Sequence, residues 1–176
     1  MSKKKLVFFL FFVFAIASRF AILAGPQWAN FTPMGAMALF FGYYSQHKGS
    51  AYVWTLTAYW FSNLLLNNFL YPSYFDGFSW GWDGGHFLLF ALITALGQGL
   101  SSVPMRTMSF FGFQIGAGLL FFLVSNFDVW MGSQVLYPKT WNGLMACYAA
   151  GLPFLKNTLA SQLVFGMIFF GIYRPT

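Results

Sequence analysis

The sequence predicts an all-α membrane protein: one domain over residues 1–176, built as a six-transmembrane-helix bundle with both ends in the cytoplasm and a short interfacial helix before the last span. Three observations predict it. Apolar residues make up 59% of the chain and charged residues only 7%, against about a quarter charged in a typical soluble domain, so too few charges exist to cover a surface facing water. The 25 phenylalanines exceed what one soluble core of this size holds and suit contact with acyl chains. Long apolar runs also recur along the chain, separated by turn residues.

A spanning helix needs about 20 mostly apolar residues. The first candidate is 6–24. Its start, Lys3–Lys5 followed by Leu6–Phe14 and Ala15-Ile16-Ala17, has the form of a secretory signal peptide. The apolar run continues to Ala24, however, long enough to span, so retention as a first helix is expected. The second, 33–47, is short and opens on Pro33, well placed at a helix start. It must extend at either end or be partly buried in protein. The others are 51–70, 86–100, 108–126 and 154–173, with breaks at Gly25-Pro26, Gln46–Ser50, Tyr71-Pro72 and Gly99–Pro104. Long loops are expected over Tyr71–Gly85 and Asn126–Thr140. Trp141–Gly151, with Gly143, Cys147 and Gly151 four residues apart, is too short to span and reads as an interfacial or half-inserted helix.

Alternating the sides from a cytoplasmic N-terminus puts Lys3–Lys5, Lys48, Arg106 and Arg174 inside and all three acids, Asp76, Asp83 and Asp128, outside. Lys139 and Lys156 are the outer exceptions. The bias follows the positive-inside rule. The net charge of +6 does not point to nucleic acid, because the basic residues share no face. A single cysteine excludes an internal disulfide and a multi-cysteine zinc site. No phosphate loop, nucleophile elbow or His-Glu-x-x-His motif is present, and the chain contains no glutamate. The expectation is a protein that is not an enzyme, with no cofactor and no metal.

Polar and aromatic residues gather on the outer side. The loop Tyr71–Gly85 carries Trp80 and Trp82 among tyrosines, phenylalanines and glycines; it reads either as an interfacial aromatic belt or as a lid that stacks on a ligand. Asn30, Asn63, Asn67 and Asn126 stand at outer helix ends, where amides serve either as helix-packing hydrogen-bond partners or as the donors and acceptors of a pocket for a small neutral or zwitterionic molecule. Asp83 and His86 lie one turn apart with Asp128 across the face. Asp83 reads as a helix cap or as part of a pair that holds a cation or a ligand's polar end. Arg19, inside the first span, either snorkels or pairs with Asp76, Asp83 or Asp128. Ala17 and Ala21 form a small-residue stripe able to meet a partner helix.

The stretches Asn30-Phe31-Thr32-Pro33-Met34-Gly35-Ala36-Met37-Ala38-Leu39-Phe40, Ser125-Asn126-Phe127-Asp128-Val129-Trp130, Leu136-Tyr137-Pro138 and Pro153-Phe154-Leu155-Lys156-Asn157-Thr158 resemble the signature of a family of bacterial membrane proteins. That family is similar to the substrate-binding (S) components of energy-coupling factor vitamin transporters. The resemblance covers most of the chain. It implies a multi-pass protein of the bacterial inner membrane that captures a vitamin-like micronutrient on its outer face. A coupling transmembrane subunit with ATPases would supply the energy, and Ala17 and Ala21 would meet that subunit. The substrate-binding set expected on this basis is Asn30, Asn63, Asn67, Trp80, Trp82, Asp83, His86, Asn126 and Asp128. Loops 25–32 and 71–85 would cover the ligand. Cobalamin is one substrate to consider, since Cys147 or His86 could reach cobalt. The alternative is a non-catalytic accessory subunit of a larger membrane complex.

Overall fold

The shortest helix lies at the centre. The computed structural model describes residues 3–25, 28–104, 106–132 and 136–173, with backbone alone for 3–5, and every helix among them is arranged around Met34–Tyr44. In chain order the helices are α1 (Lys3–Ser18), α2 (Met34–Tyr44), α3 (Lys48–Leu65), α4 (Gly84–Leu100), α5 (Thr107–Gly132) and α6 (Trp141–Ile172); no strand occurs among the described residues. Three helices are long and apolar enough to cross a membrane: Leu6–Ala24, Thr107–Gly132 and Trp141–Ile172. The chain is an all-helical protein of membrane type. Its outward surface agrees, with Leu6, Phe9, Leu10, Val13 and Phe14 of α1, Ile115, Leu119 and Leu123 of α5, and Val164, Met167 and Ile168 of α6 exposed.

α2 answers the question its length raised. Its 11 residues rise about 17 Å at 1.5 Å each, well short of the roughly 30 Å hydrocarbon core. It does not lengthen. Instead nine of its residues, Met34 through Gly42, are buried, and it packs against all five other helices. A backbone buried in protein needs no lipid-spanning length, because its ends can be satisfied by neighbours. The closest crossing is with α4. A Cβ on Gly42 would lie 2.2 Å from the Thr94 carbonyl oxygen, and one on Gly97 2.3 Å from the Leu39 carbonyl oxygen. Only two facing glycines let these backbones meet. Around the crossing, Phe8, Phe11, Phe40, Phe41 and Phe169 form a continuous aromatic core.

The remaining spans depart from expectation in instructive places. The first helix narrows into a 3₁₀ turn over Arg19–Ala24. α3 ends in a π-helical turn, Leu66–Leu70. α5 does not stop at 126 but continues to Gly132, so Asn126 and Asp128 stand on a helix rather than in a loop. Asn126 does not break it because its amide donates back to its own helix, at the Phe122 carbonyl (2.8 Å). The separate interfacial helix is also a misreading. Trp141–Gly151 is the first third of a single 32-residue α6, with Pro153 inside it. The Gly143, Cys147, Gly151 spacing marks packing: Gly151 lies where a Cβ would strike the Asn126 amide at 2.2 Å, and the Cys147 thiol donates to the Asn126 carbonyl (3.3 Å). Thr140 caps the helix by accepting from the Gly143 N–H (3.2 Å). The side chains of Lys3–Lys5, and residues Pro26 and Arg174, lie outside the described residues. Lys139, an outlier in the charge pattern, donates to the Trp130 and Met131 carbonyls at the end of α5, a site that attracts cations.

Small-residue spacing alone does not find the tight seams. Gly99, Gly112 and Gly116 have open space where a Cβ would go, whereas Gly42 and Gly97 have backbone. We therefore expect Gly97→Ala to lower the thermal unfolding midpoint of purified protein in detergent, by an amount equivalent to about 1–3 kcal/mol, while Gly112→Ala leaves it unchanged. Equal midpoints for the two variants would show that α2 and α4 do not cross here.

Candidate functional site

One end of the bundle gathers the C-terminal end of α1, the start of α2, the end of α3, the start of α4 and the end of α5. Each element reaches it for a local reason. The 28–32 segment is turned by Asn30, whose φ of 63° is the left-handed value that asparagine tolerates better than most residues. It is held to α6 by the Asn157 amide donating to the Ala29 carbonyl (3.0 Å) and the Ser161 hydroxyl donating to the Asn30 carbonyl (3.4 Å). The 71–83 loop is tied to the π-turn of α3: the Asn68 amide donates to the Ser79 carbonyl (2.7 Å) and accepts from the Ser79 N–H (2.9 Å). Gly81, at φ 68°, lets the loop backbone lie against Leu64 of α3.

Between these elements is a cavity of about 550 Å³, lined by Arg19, Asn30, Tyr59, Asn63, Asn67, Phe75, Trp82, Asp83, His86, Phe90, Phe121 and Asp128 among others. A second, of about 340 Å³, lies between α5 and α6 and shares Asn30, His86 and Phe121 with it while adding Asn126, Tyr137 and Cys147. A third, of about 220 Å³, shares Arg19, Asn30 and Thr32 and includes Ala21. Asn30 borders all three.

Of the nine residues expected to bind a substrate, Asn30, Asn63, Asn67, Trp82, Asp83, His86 and Asp128 line the largest cavity and Asn126 the second. Trp80 lines neither. It is 72% exposed, its ring rests on Phe78 (5.1 Å), and its backbone carbonyl accepts from the Trp60 indole (2.9 Å). Tyr74, Phe78 and Trp80 therefore suit a bilayer interface, whereas Trp82, stacked on Phe87 (4.8 Å, 23°), and Phe75 wall the cavity. Ala17 and Ala21 are both exposed on the first helix.

Arg19 is the cavity's cation, and its partners are neutral. One terminal nitrogen donates to the Ser62 hydroxyl and to the Asn63 amide oxygen, both at 2.6 Å. Its guanidinium lies 5.1 Å from the centre of the Tyr59 ring. A charge at membrane depth needs such partners, and these also pin the first helix to α3. Asn63 is thus a positioning residue, its own amide turned to the Gly81 carbonyl (3.4 Å). Asn67 likewise donates to the Ser79 hydroxyl (3.0 Å). The packing role weighed for these amides is present alongside their place in the wall.

Joined to Arg19 through Tyr59 is an acid–imidazole cluster. Asp83 caps α4, one oxygen accepting from the His86 N–H (3.1 Å) and the other from the Tyr59 hydroxyl (2.8 Å). Burial alone would raise the Asp83 carboxyl; the His86 side chain, the His86 N–H and the Tyr59 hydroxyl outweigh it and hold the group well below the usual carboxylate range. His86 Nδ1 is 3.0 Å from Asp83 Oδ2 and 3.7 Å from Asp128 Oδ2. Asp128 reaches it from α5 because Gly85 has no side chain: a Cβ there would lie 2.0 Å from Asp128 Oδ1. This role of Gly85 was not visible in the sequence, where Gly84 and Gly85 read only as the first turn of a helix capped by Asp83. Tyr59 was missed as well, as one aromatic among many in α3. Its only signal was the four-residue spacing to Asn63 on the same helix face.

Residues 1–175 match the sequence profile of a family of unknown function, DUF6580. The chain belongs to that family. No curated protein and no solved structure matches it.

If Gly85 is empty so that Asp128 can approach α4, Gly85→Ala should destabilise the protein by about 1–3 kcal/mol, and adding Asp128→Ala should recover part of the loss. A double-mutant cycle by thermal unfolding measures this, with coupling of about 0.5 kcal/mol or more expected. Strict additivity would separate the two residues.

Proposed function

We propose that this protein is a non-catalytic membrane transport component that captures a small, polar, vitamin-like molecule in the cavity between Arg19 and the Asp83–His86–Asp128 cluster. The supporting observation is that a cation and two carboxylates line one cavity of about 550 Å³. Arg19 supplies a cation, the carboxylates supply acceptors, and Phe75, Trp82, Phe90 and Phe121 add aromatic faces to the lining. Ligand sites are concave, largely apolar and provided with a few convergent polar groups. This one suits a molecule with an anionic or carbonyl end and a donor end. The two smaller cavities that meet it at Asn30 leave room for a longer ligand.

In this reading the chain crosses a bacterial inner membrane six times with both ends in the cytoplasm. The end that carries Asp76, Asp83 and Asp128 faces outward and meets the substrate first. The 71–83 loop, tied by Asn67 and Asn68, and the 28–32 segment form the rim. Energy comes from outside the chain, through a coupling transmembrane subunit with ATPases that docks on the exposed Ala17 and Ala21 side of the first helix. The resemblance to energy-coupling factor S components supports that arrangement, as does a sequence without a nucleotide loop.

Protein purified gently from its own membranes should release a small molecule on denaturation, detected by mass spectrometry. Arg19→Gln and Asp83→Asn should each reduce its occupancy at least tenfold, the scale on which a lost charged partner acts. Trp80→Ala should retain it. Stable co-purification with a large complex and no released molecule would replace this reading with that of an accessory subunit.

A further inference from the structure

The Asp83–His86–Asp128 cluster has a feature that helix capping does not explain. His86 Nδ1 is shielded from solvent and faces carboxylate oxygens of two acids at once, at 3.0 and 3.7 Å. An imidazolium carries one N–H on this nitrogen, so it can serve one of the two acids and leaves the other facing it without a proton to share. A neutral Nδ1 would instead turn a lone pair toward two anions, which is repulsive unless a cation stands between them. One donor atom from each of the three residues falls within 4.8 Å of the others.

We propose that these three residues form a binding site for a divalent first-row transition cation. Bonds of about 2.0–2.2 Å from a metal to nitrogen and oxygen place neighbouring donors about 3.0–3.5 Å apart, so the observed spacings close on an ion with small side-chain movements. The surroundings are arranged for the purpose. Tyr59 and the His86 N–H orient the Asp83 carboxylate, as outer partners orient ligating groups. Gly85 clears the path of Asp128, and the His86 ring stacks on Tyr59 (5.9 Å, 17°). One imidazole and two carboxylates suit manganese, iron, cobalt or zinc. The set is too small for calcium, which takes six to eight oxygens, and too hard for copper(I). All three residues line the cavity, so the remaining coordination positions face it and would accept an oxygen or nitrogen donor. That last step rests on the capture reading; the metal site does not.

The test uses tag-free, full-length protein in detergent, washed with a chelator and titrated with Co²⁺ alone and then with Zn²⁺ in competition. One Co²⁺ per chain is expected, with visible d–d absorption of a mixed nitrogen and oxygen site, displaced by Zn²⁺. His86→Ala and Asp128→Asn should weaken Co²⁺ binding by about 100-fold or more and Tyr59→Phe by about 10-fold. His47→Ala, at the far end of the bundle, should leave it unchanged. Asp128→Asn keeps the side-chain shape, so it carries the test if His86→Ala fails to fold, and Zn²⁺ should raise the unfolding midpoint of the wild type but not of that variant. No Co²⁺ spectrum, or equal affinity in wild type and Asp128→Asn, would overturn the proposal. A released small molecule without metal affinity would overturn the metal site and leave capture standing. Metal affinity without a released molecule would support the metal site alone.

Discussion

Everything in this bundle depends on the burial of α2. A helix of 11 residues cannot span a bilayer, and lipid leaves no unsatisfied backbone unpunished. It exists only because protein surrounds it, and the five other helices are placed by that need. Two glycines at the α2–α4 crossing set the separation, since any side chain there would meet a carbonyl. The segment before α2 packs against α6. It brings Asn30 to the cavity lining, where α6 holds the segment by two hydrogen bonds to carbonyls. Met34, the first residue of this short central helix, lines the same cavity.

The polar end is built on the same economy. Few charges are available, and those at the cavity share their partners. Arg19 ties the first helix to Ser62 and Asn63 of α3; Tyr59 of α3 reaches on to Asp83; Asp83 caps α4; and His86 brings in Asp128 from α5. This chain of contacts joins four helices across the rim. It spreads charge over neutral hydroxyls, amides and an aromatic face. Such networks hold their members more firmly than the pairwise contacts suggest, which is what a preformed pocket requires.

Much of the fold was legible because membrane length and charge are coarse signals. The apolar runs fall within each of the six helices, but they miss the first third of α6 and the last turns of α5. What failed were the ends. Asn126 to Asp128 resembled a loop because asparagine and aspartate usually interrupt helices, yet Asn126 satisfies its amide on its own helix. Pro153 resembled a boundary, yet α6 continues through it. The residues around the cavity were readable as outlying polar groups in an apolar chain, since burying such groups demands partners. Their separate roles were not. Asn63 and Asn67 are committed to Arg19 and Ser79, and Trp80 points away. Glycine roles were the least legible: Gly85 and Gly97 matter for the atoms facing them across helices, while Gly99 and Gly112, similar in sequence setting, face open space.

The central claim is that the cavity between Arg19 and Asp83–His86–Asp128 is a ligand site. The most direct measurement is an experimental density map at side-chain resolution of protein purified in native lipid. The account predicts non-protein density in contact with both the Arg19 guanidinium and the acid–imidazole cluster. A cavity filled by acyl chains, or closed by the 71–83 loop with Arg19 paired directly to an aspartate, would contradict it.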